Sequence, residues 1–130
     1  MSAASIFIVD DDPAVLEAVT DVLADDGYRV AGAVDSRAAL LAVLSDPPDL
    51  LVLDVIMPGL NGWELCEIVR RQAATREVPV LFLTGRGDVR DQITALQVGG
   101  TDHLKKPFRA EELRGKVRTL TAAARREPSR

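Results

Sequence analysis

Three apolar runs and one short mixed segment of this 130-residue chain end on side chains that can do chemistry. Leu50 to Leu53 is unbroken and apolar, the pattern of a parallel strand buried on both faces, and it stops at a carboxylate, Asp54. Pro58, Gly59, Asn61 and Gly62 follow as turn-formers, so the backbone leaves the sheet just past Asp54. Ile6 to Val9 likewise ends in Asp10, Asp11 and Asp12. Val80 to Leu83 ends in Thr84-Gly85, and Asp102 to Lys105 runs into Lys106-Pro107-Phe108. In open α/β sheets, ligands bind at such carboxyl ends of strands. Carboxylates gathered in one crevice raise one another's pKa unless a cation offsets the repulsion. If Asp10, Asp11 and Asp54 meet, a divalent oxygen-loving metal is implied; Mg2+ fits, since it prefers oxygen ligands and retains waters, and Mn2+ can substitute.

The elements that must place these residues alternate along the chain. Ser5 to Val9 is the first strand, and Asp12-Pro13 opens a helix with Leu16, Val19 and Leu23 at helical spacing, ended by Gly27. Asp12 itself reads as a cap of that helix. Tyr28 to Ala33 alternates, as a strand near a sheet edge does. Ser36 is then expected to cap a second helix with Leu40 and Leu44 inward. Gly62 to about Ala74 is the third helix, with Leu65, Ile68 and Val69 on one face. Pro79 to Leu83 is the fourth strand, followed by a fourth helix capped by Asp88, carrying Val89, Ile93 and Leu96 and ended by Gly99-Gly100. After a brief fifth strand, Ala110 to Ala124 is the last helix, with Leu113, Val117 and Leu120 inward. Five strand–helix alternations imply an α/β fold, a parallel sheet with right-handed crossovers and helices on both faces.

Length allows one domain with one main site: residues 1–124 as the domain and 125–130 as a tail or the start of a linker. A net charge of -4 and a pI near 5.0 argue against a nucleic-acid footprint on this domain. The single cysteine, Cys66, has no partner for an internal disulfide and reads as a packing residue. No signal-peptide pattern opens the chain, and no apolar stretch approaches the roughly 20 residues that span a bilayer, so a cytoplasmic location is expected, with no membrane contact. Arg114, Lys116, Arg118, Arg125 and Arg126 read as a solvated face at a helix end that favours cations.

Taken together, Asp10-Asp11, Asp54 with Met57-Pro58 and Gly62, Thr84-Gly85, and Lys106-Pro107-Phe108 resemble, in order, spacing and context, the receiver domain of two-component response regulators. The resemblance covers nearly the whole chain. It implies the flavodoxin-like doubly wound sheet, five strands in the order 2-1-3-4-5 with five helices, an arrangement for which a chemotaxis receiver is a standard example. In that order the first and third strands are neighbours. It further implies that Asp11 and Asp54 bind Mg2+ directly, that Asp10 helps, and that the backbone carbonyl of Ile56 completes the protein ligands. Asp54 would be the phosphoacceptor, taking the group from a phosphohistidine on a sensor histidine kinase or histidine phosphotransferase. Lys106, after a peptide expected to be cis before Pro107, would neutralise the phosphoryl oxygens, and the Thr84 hydroxyl would sense them. Such a domain is a signalling phosphoacceptor that assists its own phosphorylation and dephosphorylation, not an enzyme with turnover on a separate substrate.

The chain departs from the family pattern at His103, where a tyrosine or phenylalanine is usual. A histidine there can fill the same space as a switch residue, and its charge changes near neutral pH, so inward and outward populations would respond to pH as well as to phosphate. Ile56 and Arg86 occupy the positions that set phosphate lifetime in receivers; an isoleucine cannot orient an attacking water, and slow self-dephosphorylation is expected. The family's output surface is the fourth helix, fifth strand and fifth helix, where Asp102, Lys116 and Arg118 could make charged contacts in a homodimer or with a downstream protein or output domain. A phosphorylation-independent pseudo-receiver is the alternative reading. An aspartyl-phosphate phosphatase is disfavoured, because that chemistry wants a second acid two residues after the nucleophile, where Ile56 stands.

Overall fold

The computed structural model describes residues 3–85, 93–94 and 97–126. Five strands, β1 (Ser5–Val9), β2 (Arg29–Ala33), β3 (Leu50–Asp54), β4 (Val80–Thr84) and β5 (Asp102–Lys105), form one parallel sheet in the order β2-β1-β3-β4-β5. Four helices are described from end to end: α1 (Pro13–Asp25), α2 (Ser36–Ser45), α3 (Gly62–Arg71) and α4 (Ala110–Arg126). The last of these is the fifth helix of the sequence order. The expected helix between β4 and β5 is helical at Ile93, Thr94 and Gln97, while Asp88, Val89 and Leu96, also expected in it, lie outside the described residues.

Apolar runs become central strands because both faces are covered. Every residue of β3 and β4 is buried, and their side chains alternate between two cores. Leu51, Leu53 and Phe82 pack with Leu65, Cys66 and Val69 of α3 and Ala39 and Val43 of α2. Leu50, Val52, Leu81 and Leu83 pack with Val19 and Leu23 of α1 and Leu113, Val117 and Leu120 of α4. Trp63 sets its ring edge against Phe82, 4.5 Å between centroids, which makes it a packing residue on the first of these faces. The alternating β2 lies at the sheet edge, as its pattern predicts.

Local details differ from the sequence reading at four points. Asp35, not Ser36, caps α2, accepting from the Arg37 and Ala38 amides, and Ser36 is buried as the first helical residue. The inward face of α2 is Ser36, Ala39 and Val43; Leu40 and Leu44 are only half-buried, because small residues let the helix lie close to the sheet. The third helix stops at Arg71 rather than near Ala74, where the buried Thr75 hydroxyl donates to the Val69 carbonyl at 2.7 Å and takes over a terminal acceptor of the helix. Helix α4 continues to Arg126, two residues past the expected end.

Candidate functional site

The register Val9↔Leu53 sets the ends of β1 and β3 side by side, so Asp10, the residue after β1, and Asp54, the last of β3, share one crevice. Carboxylate oxygens of Asp10, Asp11 and Asp54 lie within 4.8 Å of one another. Asp10 is fully buried, Asp54 almost so, and Asp11 is exposed at the mouth. The Asp12 amide donates to Asp10 Oδ1 at 2.9 Å, and the Asp12 carboxylate turns away to cap α1 through the Ala14 amide, as the Asp-Pro pair predicts. Three acids that the sequence scatters over 45 positions thus meet through strand order alone.

Lys106 enters from the far side of the sheet. Its amide donates to the Thr84 carbonyl at 2.7 Å, tying the end of β5 to the end of β4, and the Lys106–Pro107 peptide is cis. Its ammonium stands 2.9 Å from Asp10 Oδ2 and 3.4 Å from Asp54 Oδ1. Burial pushes the Asp54 carboxyl up to about 6; the charge of Asp10 adds to that shift, and the Lys106 ammonium opposes it. Burial alone would lower the Lys106 pKa, but hydrogen bonding and attraction from Asp10, and then from Asp54, outweigh it and raise it. Lys106 therefore stays charged, yet one ammonium faces three carboxylates. That surplus of hard oxygen donors fits a divalent metal such as Mg2+.

Thr84 ends β4 beside this cluster, buried, with its hydroxyl lacking a hydrogen-bond partner among the described residues. A buried hydroxyl without a partner costs about 1–3 kcal/mol. Ile56 follows on the loop after β3 and is 76 % exposed. Arg86 lies outside the described residues. An open, mainly apolar groove of about 440 Å3 flanks the site, lined by Ala14, Val15, Ala18, Val19, Pro107 and Phe108 with Lys106 at one end.

The loop and helix after β3 are held by features that the sequence reading passed over. Asn61 caps α3 and Glu64 returns the bond, 2.9 and 3.0 Å, a reciprocal box that the Asn-x-x-Glu spacing signals. A side chain at Gly62 would collide with the Asp54 carbonyl, so only glycine lets α3 start this close to the site. At the other predicted surface, Asp102 and Lys116 are joined to each other at 3.0 and 3.1 Å, while Arg118 is exposed. His103 lies opposite Phe82 in the sheet register, half-buried, with its Nδ1 3.9 Å from Asp102. Arg114 also leaves the expected solvated face, reaching Asp26 at 3.4 Å.

Comparison with known proteins agrees with this geometry. The family model described as response regulator receiver domain matches residues 6–118. The chain is 44 % identical over 115 residues to the response regulator MprA of Mycolicibacterium vanbaalenii, covering 88 % of this chain and 49 % of that protein. It is 38 % identical over 123 residues to the DNA-binding dual master transcriptional regulator RpaA of Synechocystis sp., covering 95 % of this chain and 51 % of that one. Among solved structures, the Vibrio cholerae chemotaxis protein CheY4 superposes with a TM-score of 0.88 at 32 % identity, covering 92 % of this chain and 99 % of its own. The chain spans about half the length of the curated relatives it matches. By sequence, strand order and the shared fold, the chain belongs to the response regulator receiver domain family.

Proposed function

We propose that this chain is a phosphoacceptor whose reactive group is Asp54, loaded from a phosphohistidine on a sensor histidine kinase or a histidine phosphotransferase. The observation that carries this reading is the buried Asp54 carboxylate at the carboxyl end of the central strand, facing the Lys106 ammonium at 3.4 Å within a triad of acids. A carboxylate oxygen of Asp54 attacks phosphorus, the new O–P bond forms as the P–N bond breaks, and the departing imidazole keeps the bonding pair and takes up a proton. Asp10, Asp11, Asp54 and the carbonyl of Ile56 would hold Mg2+, with Mn2+ as a substitute. When bound, the metal neutralises charge on the phosphoryl oxygens and lowers the cost of keeping Asp54 ionised. Lys106 contributes the second positive charge, positioned before the phosphoryl group arrives. The Thr84 hydroxyl then turns from its unpaired state to donate to a phosphoryl oxygen.

The readout is a change at the surface of the segment between β4 and β5, β5 and α4, with His103 as the switch side chain. Asp102, Lys116 and Arg118 supply its charge, for a homodimer, a downstream protein or an attached output domain. The -4 net charge favours protein partners over direct nucleic-acid contact by this domain. The apolar groove beside Lys106 offers the donor protein a seat within reach of Asp54. Ile56 and Arg86 favour slow loss of the phosphoryl group, residues 1–124 act as the domain, and 125–130 as its tail or linker.

The reading is tested chemically by incubating the protein with phosphoramidate, a small P–N donor, and Mg2+, then trapping with hydroxylamine. Conversion of Asp54 to its hydroxamate, located by peptide mapping, is expected. A hydroxamate at another acid, or none at Asp54, would contradict it.

A further inference from the structure

Outside the acid cluster, helix α3 presents two polar groups, one turn apart, to the end of the segment that leads into β5. The Arg70 Nε donates to the Gly99 carbonyl at 2.8 Å, and another guanidinium nitrogen donates to the Val78 carbonyl at 2.6 Å. The Cys66 thiol, fully buried, donates to the Val98 carbonyl at 3.4 Å. Val98 and Gly99 follow the helical residues Ile93, Thr94 and Gln97, so these are carbonyls that the end of a helix leaves without an internal partner. Gly99 suits the position twice. Its φ is +89°, and a side chain there would press on the Arg70 stem at 3.1 Å. The Thr101 hydroxyl accepts from the Val80 amide at 3.1 Å, and the Thr101 amide donates to the Val80 carbonyl at 2.9 Å, which fixes the next residues to β4.

The start of the same segment is different. Among the described residues, the Thr84 hydroxyl is unpaired and a side chain built at Gly85 would meet nothing within 4 Å. The Val98–Gly99 end is therefore tied by forked, charge-assisted hydrogen bonds.

We propose that Arg70, assisted by Cys66, is a positioning residue that pins Val98 and Gly99 to α3 and holds this contact closed when Asp54 is phosphorylated. This rests on the reading of Asp54 as the phosphoacceptor, and goes beyond it by assigning a contact that phosphorylation leaves in place. Arginine is required because its planar fork reaches two carbonyls in two different connections at once, which a lysine's single ammonium does not reproduce.

Cys66 is the chain's one cysteine and lies under the clamp, so it reports opening directly. The experiment is pulse alkylation of the full chain with iodoacetamide in Mg2+ buffer, with and without acetyl phosphate, read by intact mass, which separates alkyl from phosphoryl adducts. Wild-type protein is expected to be equally protected in both forms. Arg70→Gln should label at least about tenfold faster, faster still when phosphorylated, and at rates insensitive to low urea, the mark of local rather than global opening. Arg70→Lys, which keeps the charge, should fall between the two and serves if Arg70→Gln folds poorly. Faster labelling of phosphorylated wild type would show that this end is not fixed. Labelling of the variants at the wild-type rate, or only through global unfolding, would remove Arg70 as the clamp. An absent phosphoryl adduct would count against the Asp54 reading alone, because the unphosphorylated comparison still decides the clamp.

Discussion

Asp54 holds a carboxyl raised from 3.8 to about 6, and the direction of that shift makes a stability prediction. Between these values the folded protein retains a proton that the unfolded chain has released, so stability falls as pH rises through the window. Asp54→Asn removes the effect. In metal-free buffer the variant should be more stable than wild type by about 1–2 kcal/mol above pH 6, with the advantage fading below about pH 4, as measured by urea unfolding across pH. Lys106→Met should act in the opposite sense. Stripping the one ammonium from two buried acids should destabilise the metal-free fold by about 2–4 kcal/mol near neutral pH, and Mg2+ should restore part of the loss. Asp54 was legible in the sequence because it ends an apolar run, and Lys106 because it follows a short strand-like segment and opens Lys106-Pro107-Phe108. What could not be read was that Thr84 would be buried with its hydroxyl unpaired among the described residues, or that Asp102 and Lys116 would bond to each other, since both depend on neighbours distant in sequence.

Among the elements, the most legible were the strands, because β3 and β4 are covered on both faces and their composition allows nothing else. The buried face of α2 was read one step off, since Ser36 and Ala39 carry its closest approach and hydrophobicity alone points to the leucines. Helix α3 shows how an element serves the site. Its start is fixed by the Asn61–Glu64 box and by the absence of a side chain at Gly62. Asn61→Ala should cost about 1 kcal/mol in urea unfolding and leave phosphoryl acceptance largely intact. Gly62→Ala forces a carbon against the Asp54 carbonyl, so it should cost about 1–3 kcal/mol and also slow phosphorylation by displacing the acid itself. A Gly62→Ala protein with wild-type acceptance would show that α3 does not position Asp54.

The molecule as a whole converts topology into a site: the order β2-β1-β3-β4-β5 brings acids, hydroxyl and ammonium to one end of the sheet. That order came from the family resemblance, since periodicity shows that strands alternate with helices but not which strands touch. The acid cluster should make stability depend on metal by mass action: millimolar Mg2+ should raise the melting temperature of wild type, and Asp11→Asn should blunt the rise. If the donor protein seats in the groove along α1 as proposed, donor recognition is separable from chemistry. Ala18→Arg, which fills it, should slow transfer from a histidine kinase at least about tenfold while leaving phosphorylation by acetyl phosphate unchanged. The most direct measurement is intact mass after incubation with acetyl phosphate, with and without Mg2+, on wild type and Asp54→Asn. One phosphoryl adduct that requires both the metal and Asp54 is the predicted result; an adduct that survives in Asp54→Asn, or its absence from folded, Mg2+-bound wild type, would contradict Asp54 as the acceptor.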